Sequence, residues 1–217
     1  MTLRINEAIV IVGLGEMGEL FASGFLKAGY PVFPVLRETD WSTLQSIVPA
    51  PSLVLMAVGE TQLDDVLKRL PRPWRKVTAL LQNELLPCHY QHHGIIDPTI
   101  ITVWFDKKKG RPSVSVLPTV ISGPKAILIQ QALEKVEVAA RIVPVEQQLF
   151  EMIRKNLYIL TINIGGIVAG GSVSSLWAKH RELAEGIASD ILSIQEALVG
   201  KPLPREALLK GMVEGFE

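Results

Sequence analysis

The chain has 217 residues, enough for one large domain or two unequal ones. Its 22 basic and 22 acidic side chains balance, so nothing suggests a nucleic-acid surface or a polyanionic substrate, and its single cysteine, Cys88, excludes an internal disulfide and fits a reducing, cytoplasmic compartment. Mean hydropathy is positive, yet the N-terminal apolar run is too short for a signal-peptide core and the stretch 157–171 is broken by Thr161, Asn163 and several glycines, so no membrane span is expected.

Ala8 to Val12 reads as a fully buried strand that runs straight into Gly13-Leu14-Gly15-Glu16-Met17-Gly18. Behind it Leu20, Phe21, Gly24, Phe25 and Ala28 share one helical face, and Gly29 ends the pattern. Strand, G-x-G-x-x-G turn and helix is the context in which this motif binds a dinucleotide. Gly13 permits the tight turn, Gly15 lets the backbone approach a pyrophosphate, and Gly18 lets the helix lie close on the strand. The positive helix N-terminus then faces the phosphate charge. Pro31 to Leu36 is the second strand. At its end Arg37 offers a guanidinium fork to a 2′-phosphate, which favours NADP, while Glu38 is the competing candidate for the ribose hydroxyl of NAD.

Trp41 to Ile47 reads as a short helix, ended by Pro49-Ala50-Pro51, and Leu53 to Val58 as a third strand that stops at Gly59. The next helix has Thr61 as its expected N-cap and Leu63, Val66, Leu67 and Leu70 as its buried face, with Pro71 and Pro73 beyond it. Val77 to Leu81 is a fourth strand that delivers Gln82-Asn83 to the rim where ligands of open parallel sheets bind. Ile100 to Phe105 and Val114 to Leu117 flank an exposed hairpin turn, Asp106 to Gly110. Thr119 to Ser122 is a strand, Lys125 to Val138 a helix, and Arg141 to Val143 the last strand. Helical periodicity then fills Glu146 to Val168, Ser174 to His180, Glu182 to Leu198 and Glu206 to Val213. The fold class expected is α/β, with an N-terminal Rossmann-type nucleotide-binding domain over 1–144 and a short all-helical domain over 145–217.

Asn83, Lys155 and Asn163 stand out against apolar surroundings. An i to i+8 step on a helix returns within about 80° of the same face, so Lys155 and Asn163 can look into one cleft. A lysine facing a nicotinamide can protonate the alkoxide left when hydride reaches a ketone. The plainer reading is a solvated helix lysine beside Arg154. Cys88, His89, His92 and His93 have metal-like spacing, but Pro87 and Gly94 bracket them and no further ligand cluster is visible. A solvated connecting segment without metal is therefore expected.

In order and spacing these segments resemble the ketopantoate reductases (2-dehydropantoate 2-reductases) along most of the chain. The resemblance is carried by Gly13 to Gly18, Val35-Leu36-Arg37, Gln62, Gln82-Asn83, Ser122-Gly123-Pro124, Arg154-Lys155 and Asn163. It implies an NADP-dependent enzyme whose cofactor is held by Gly13, Leu14, Gly15, Glu16, Met17, Gly18, Arg37, Val58, Gly59, Gln62 and Asn83. It also implies a catalytic set of Lys155 as general acid, Asn83 beside nicotinamide and substrate, and Asn163 at the substrate end. The chain departs from the family at Ile159, where an asparagine is usual, at Glu84 in place of glycine, and at Gly59, where a lysine often follows the third strand. The family's helical domain continues past the position of Glu217, with a serine and a glutamate for the substrate hydroxyls that have no counterpart here. The start of the chain also resembles the β-hydroxyacid dehydrogenases, through Gly13 to Gly18 and Lys27-Ala28-Gly29.

The expectation is an NADPH-dependent reductase of a small 2-oxo acid or related ketone. The alternatives are a β-hydroxyacid dehydrogenase-like oxidoreductase and a non-catalytic NADP-binding sensor or interaction protein. The apolar residues after Pro144, among them Leu157, Ile164, Ile167, Val168, Leu176, Ile191 and Leu198, exceed what about 70 residues can close into a core. A homodimer through the helical region, packing closely at Gly165, Gly166 and Gly170 under two-fold symmetry, is therefore expected.

Overall fold

The computed structural model describes residues 7–107, 110–111, 113–170 and 173–216. Lys108 and Lys109 of the expected hairpin turn lie outside the described residues. The chain divides into two compact units, 1–82 with 89–148, and 83–88 with 149–217. A division drawn at 144 thus differs in two respects: 83–88, after the fourth strand, groups with the helices, and 145–148 groups with the first unit.

The first unit contains β1 (Ile9–Val12), α1 (Glu16–Lys27), β2 (Val32–Val35), α2 (Trp41–Ile47), β3 (Leu53–Met56), α3 (Glu60–Arg69) and β4 (Thr78–Leu80). It continues through α4 (Cys88–Gln91), β5 (Thr99–Thr102), β6 (Phe105–Asp106), β7 (Val114–Ser115), β8 (Thr119–Ser122), α5 (Ala126–Glu134) and β9 (Ala140–Ile142). Seven strands form one sheet in the order β2-β1-β3-β4-β5-β8-β9. The first five run parallel, β8 is antiparallel to β5, and β9 follows β8 in parallel. The pair β6 and β7 makes a separate antiparallel ribbon. All residues of β1, β3, β5 and β8 are buried, as expected of Val- and Ile-rich strands covered on both faces. Val12 pairs with Val35 on one side and Met56 on the other, so β1, β2 and β3 end level. That common rim lies where the strand order reverses, the place at which open α/β sheets bind ligands.

Ile9, Ile11, Phe21, Phe25, Leu53, Leu55, Ile121, Ile129 and Leu133 are central to the core beneath α1 and α5. These two helices approach closely because residue 24 is glycine: a Cβ there would collide with the Ala132 carbonyl oxygen. Several elements are shorter than their apolar runs suggest. The helix expected to reach Val138 stops at Glu134, because Glu137 takes a positive φ and the Val138 N–H turns back to the Leu133 carbonyl. Thr61 is not the N-cap of α3; Gly59 is, and no side chain caps that end.

The second unit is α6 (Gln148–Ala169), α7 (Val173–Lys179), α8 (Arg181–Val199) and α9 (Arg205–Val213). Gly200, at φ 73°, ends α8 with its N–H on the Glu196 carbonyl. Phe216 is buried, with its ring stacked on Trp177 and 5.6 Å from Tyr158, which fixes the segment after α9. Gly165 is buried under Leu176 of α7, whose Cδ2 would lie 2.6 Å from a Cβ there. Its small size serves packing inside the chain, one of the two uses, within the subunit or across a dimer, that the glycine-rich stretch suggests. Gly166 and Gly170 are exposed and open. Among the described residues no helix is long and apolar enough to cross a membrane.

Candidate functional site

The glycine turn after β1 separates into residues the fold needs and one it does not. Gly13 sits at φ 91°, and a Cβ there would be 2.7 Å from the Ala57 carbonyl oxygen. At Gly18 a Cβ would collide with the Gly13 carbonyl oxygen. Gly15 has an extended backbone that any residue adopts, and a Cβ there would meet nothing within 4 Å. Packing gives no reason for glycine at 15; a ligand backed against the main chain does. Gly59, extended and equally open, repeats the arrangement at α3. Both glycines are N-caps with no side-chain cap hydrogen bond, so the positive N-termini of α1 and α3 meet this rim uncapped by a side chain. Glu16 is exposed and Met17 half-buried in the first turn of α1. This cradle fits the diphosphate of a dinucleotide.

Beside it a cavity of about 480 Å³ opens at the ends of β1, β2 and β3. Gly13, Leu14, Arg37, Val58 and Gln62, all expected from the sequence, line it. So does Glu38, and the structure thus brings both candidate ribose-end readers to one wall. Trp41, Thr61, Asp65, Val66 and Arg69 also line it, beside Val12, Val35 and Leu36, and were not anticipated as cavity residues. Four of these lie on α3 at 61, 65, 66 and 69, one helical stripe beside the buried Leu63 and Leu67, and that spacing was the available signal. The Arg69 guanidinium lies 5.5 Å over the Trp41 ring, which in turn packs 6.2 Å from Trp74.

Local hydrogen bonds shape this wall. Leu36 donates its N–H to Thr39 Oγ1 at 2.8 Å, which tightens the turn that carries Arg37 and Glu38. Asp40 caps α2 by accepting from the Ser42 and Thr43 N–H groups and both hydroxyls, and these donors hold its carboxyl down at about 2. Buried Gln82 donates from Nε2 to the Met56 and Val58 carbonyls at 2.9 and 3.1 Å. It accepts the Leu81 N–H at 3.1 Å. The residue read as part of a rim motif is therefore a tie that fixes the end of β3 and the start of α3.

The second unit holds Asn83, Lys155 and Asn163. Lys155 is buried, with only 8% of its surface exposed. Desolvation pushes its ammonium from 10.5 down to about 8, and Nζ lies 5.5 Å from the centroid of the Tyr158 ring. The solvated-lysine reading is thus excluded by burial. Its neighbours Glu151, Arg154 and Asn156 are buried too. Arg154 donates from Nε to the Gly211 carbonyl at 2.7 Å, pairs with Glu214 at 2.8 Å and meets Glu151 at 3.5 Å. Asn156 donates from Nδ2 to the Leu85 carbonyl at 3.3 Å, tying the segment that bears exposed Asn83 to α6. Sequence reasoning missed this role; a polar run at 154–156 inside an apolar helix was its only trace. Asn163 is exposed, two turns beyond Lys155 and off its buried stripe.

No protein-family model matches the sequence, and no curated protein matches it. Solved structures do. The 2-dehydropantoate 2-reductase from Methylococcus capsulatus aligns over 97% of this chain and 80% of its own, at 14% identity and a TM-score of 0.68. A dimeric ketopantoate reductase from Staphylococcus aureus covers 96% and 79% at 16% identity, with a TM-score of 0.62. A D-mandelate dehydrogenase solved with NADH covers 96% and 79% at 13% identity, with a TM-score of 0.66. The chain has the fold of these proteins, a Rossmann-type unit followed by helices.

Proposed function

We propose that this chain is an NADPH-dependent reductase of a small 2-oxo acid or related ketone, cytoplasmic and homodimeric through its helical unit. The observation that carries the reading is Lys155, a lysine buried in an apolar helix and poised near 8, where an ammonium can both persist and give up its proton. The resemblance in fold to ketopantoate reductases and to a dehydrogenase solved with NADH supports the same reading. Bound NADPH would supply the hydride that adds to the carbonyl carbon. Gly13 to Gly18 and the N-terminus of α1 would hold its diphosphate, Arg37 its 2′-phosphate, and Val58, Gly59 and Gln62 the wall beside it. Lys155 Nζ gives its proton to the carbonyl oxygen. Asn83 orients the carbonyl, and Asn163 serves the outer end of the substrate.

The test is NADPH oxidation with a panel of 2-oxo acids, for the parent chain and Lys155→Ala. We expect turnover with at least one acid, and a loss of about 10²–10⁴-fold in kcat and kcat/KM together in the variant, with NADPH binding unchanged. Full activity in Lys155→Ala overturns the assignment. Turnover confined to oxidation of 3-hydroxy acids would move the chain to β-hydroxyacid dehydrogenase chemistry. A second reading, a non-catalytic NADP-binding protein, is favoured by the exposure of Asn163 and by Ile159. It predicts tight NADPH binding with no oxidation by any acid.

A further inference from the structure

Residues 88–93 read in the sequence as a histidine-rich connector lacking a further ligand. The fold supplies one from α3. His92 Nε2 lies 3.2 Å and His93 Nε2 2.8 Å from the same oxygen, Oδ1 of Asp64. The two imidazole centroids are 3.8 Å apart, and the three ligand atoms all lie within 4.8 Å of one another. The turn that follows α4 presents both rings. His93 and Gly94 donate their N–H groups back to the Tyr90 and Gln91 carbonyls, and Gly94 closes the turn at φ 70°.

We propose that Asp64, His92 and His93 form a binding site for a divalent transition metal. Bonds of about 2.0–2.1 Å to nitrogen and oxygen in a tetrahedron set ligand atoms roughly 3.3 Å apart. The two nitrogen–oxygen separations stand close to that value already, so a slight opening of the three side chains admits an ion between them. The buried His93 ring is one fixed ligand, while half-exposed His92 and Asp64 leave a fourth position to water. Lys68 holds the other oxygen, Oδ2, at 2.5 Å and leaves Oδ1 to the ion. Two imidazoles and one carboxylate suit zinc, cobalt, nickel or copper, whereas magnesium and calcium prefer all-oxygen sites. The ion would clip α3 to a turn 28 residues further along the chain. Asp65 and Val66, next to Asp64, line the nucleotide cavity, so the clip would stiffen the helix that forms its wall.

The experiment is thermal melting and calorimetric titration of the full chain with zinc chloride after removal of bound metal by a chelator. Zinc at about a hundred times Kd should raise Tm by about 5–10 °C, and magnesium at the same concentration should do nothing. His92→Ala and Asp64→Asn change exposed side chains, and melting without metal verifies that each still folds. Each should weaken zinc binding by about 10–100-fold or more, while Cys88→Ser and His89→Ala bind like the parent. No zinc-dependent shift in the parent, or a shift that survives both His92→Ala and Asp64→Asn, overturns the site.

Discussion

The two units differ in the charge they bury. In the first, the strands and helix faces are apolar and buried, and the polar residues argued to meet the cofactor sit on turns at one rim of the sheet. In the second, α6 buries Glu151, Arg154, Lys155 and Asn156; both units leave apolar side chains exposed, Ile47, Ile96 and Ile127 in the first and Ile167, at 86%, in the second. A parallel sheet satisfies its own backbone and leaves chemistry to loops. A helical unit that buries charge must instead pair it or push it toward the neutral form: Arg154 pairs with Glu151 and Glu214, and desolvation lowers the Lys155 ammonium.

That contrast breaks first at Arg154. Its removal would take the buried cation away from Glu151 and Glu214 and the donor away from the Gly211 carbonyl, so Arg154→Ala should destabilise the chain by about 3–5 kcal/mol in denaturant unfolding. A midpoint equal to the parent's would mean that the buried charges hold nothing together. The corresponding change in the first unit, Arg37→Ala, should leave stability alone, because the side chain is exposed. It should instead weaken NADPH by about 1.5–3 kcal/mol and NADH hardly at all. Equal affinities of the unmodified chain for the two cofactors would transfer the role to Glu38.

Lys155 sharpens the comparison through pH. Its value is about 8 in the folded chain against 10.5 for an ordinary lysine, so the unfolded chain binds more protons between those limits. Stability from this group therefore rises as pH climbs from 8 to 10.5, and it is penalised below 8. Lys155→Met should remove that slope and gain on the order of 1–3 kcal/mol at neutral pH, as seen by melting across the window. For reduction, where the protonated form acts, kcat should fall as pH rises through 8. The smallest effect belongs to the outward apolar face. Ile167→Asp should weaken self-association by about 1–2 kcal/mol in light scattering, and a parent that stays near 24 kDa at micromolar concentration would rule out the dimer.

The sequence by itself determined the order and kind of most elements, but not the helix α4, read as a connecting segment, nor the division of the expected strand 100–105 into β5 and β6 of separate sheets. Buried strands such as Ile9–Val12 and Thr119–Ser122, and the cap-to-break span of Trp41–Ile47, depend on periodicity and local turn chemistry that neighbours along the chain already express. It also named Gly13, Arg37 and Gln62, which line the cavity at the strand ends, because a strand, glycine turn and helix in succession is a local pattern. Only the tertiary structure decided what depends on packing across long separations. It showed that Gly15 and Gly59 have open space in front of them while Gly165 is filled by Leu176. It turned Gln82 into a tie for β3, drew Trp41 and Arg69 into the cavity wall, and set Asp64 against His92 and His93. It also buried Lys155, which the residues alone read more plainly as solvated, because desolvation is a property of what surrounds a side chain and not of the residues beside it.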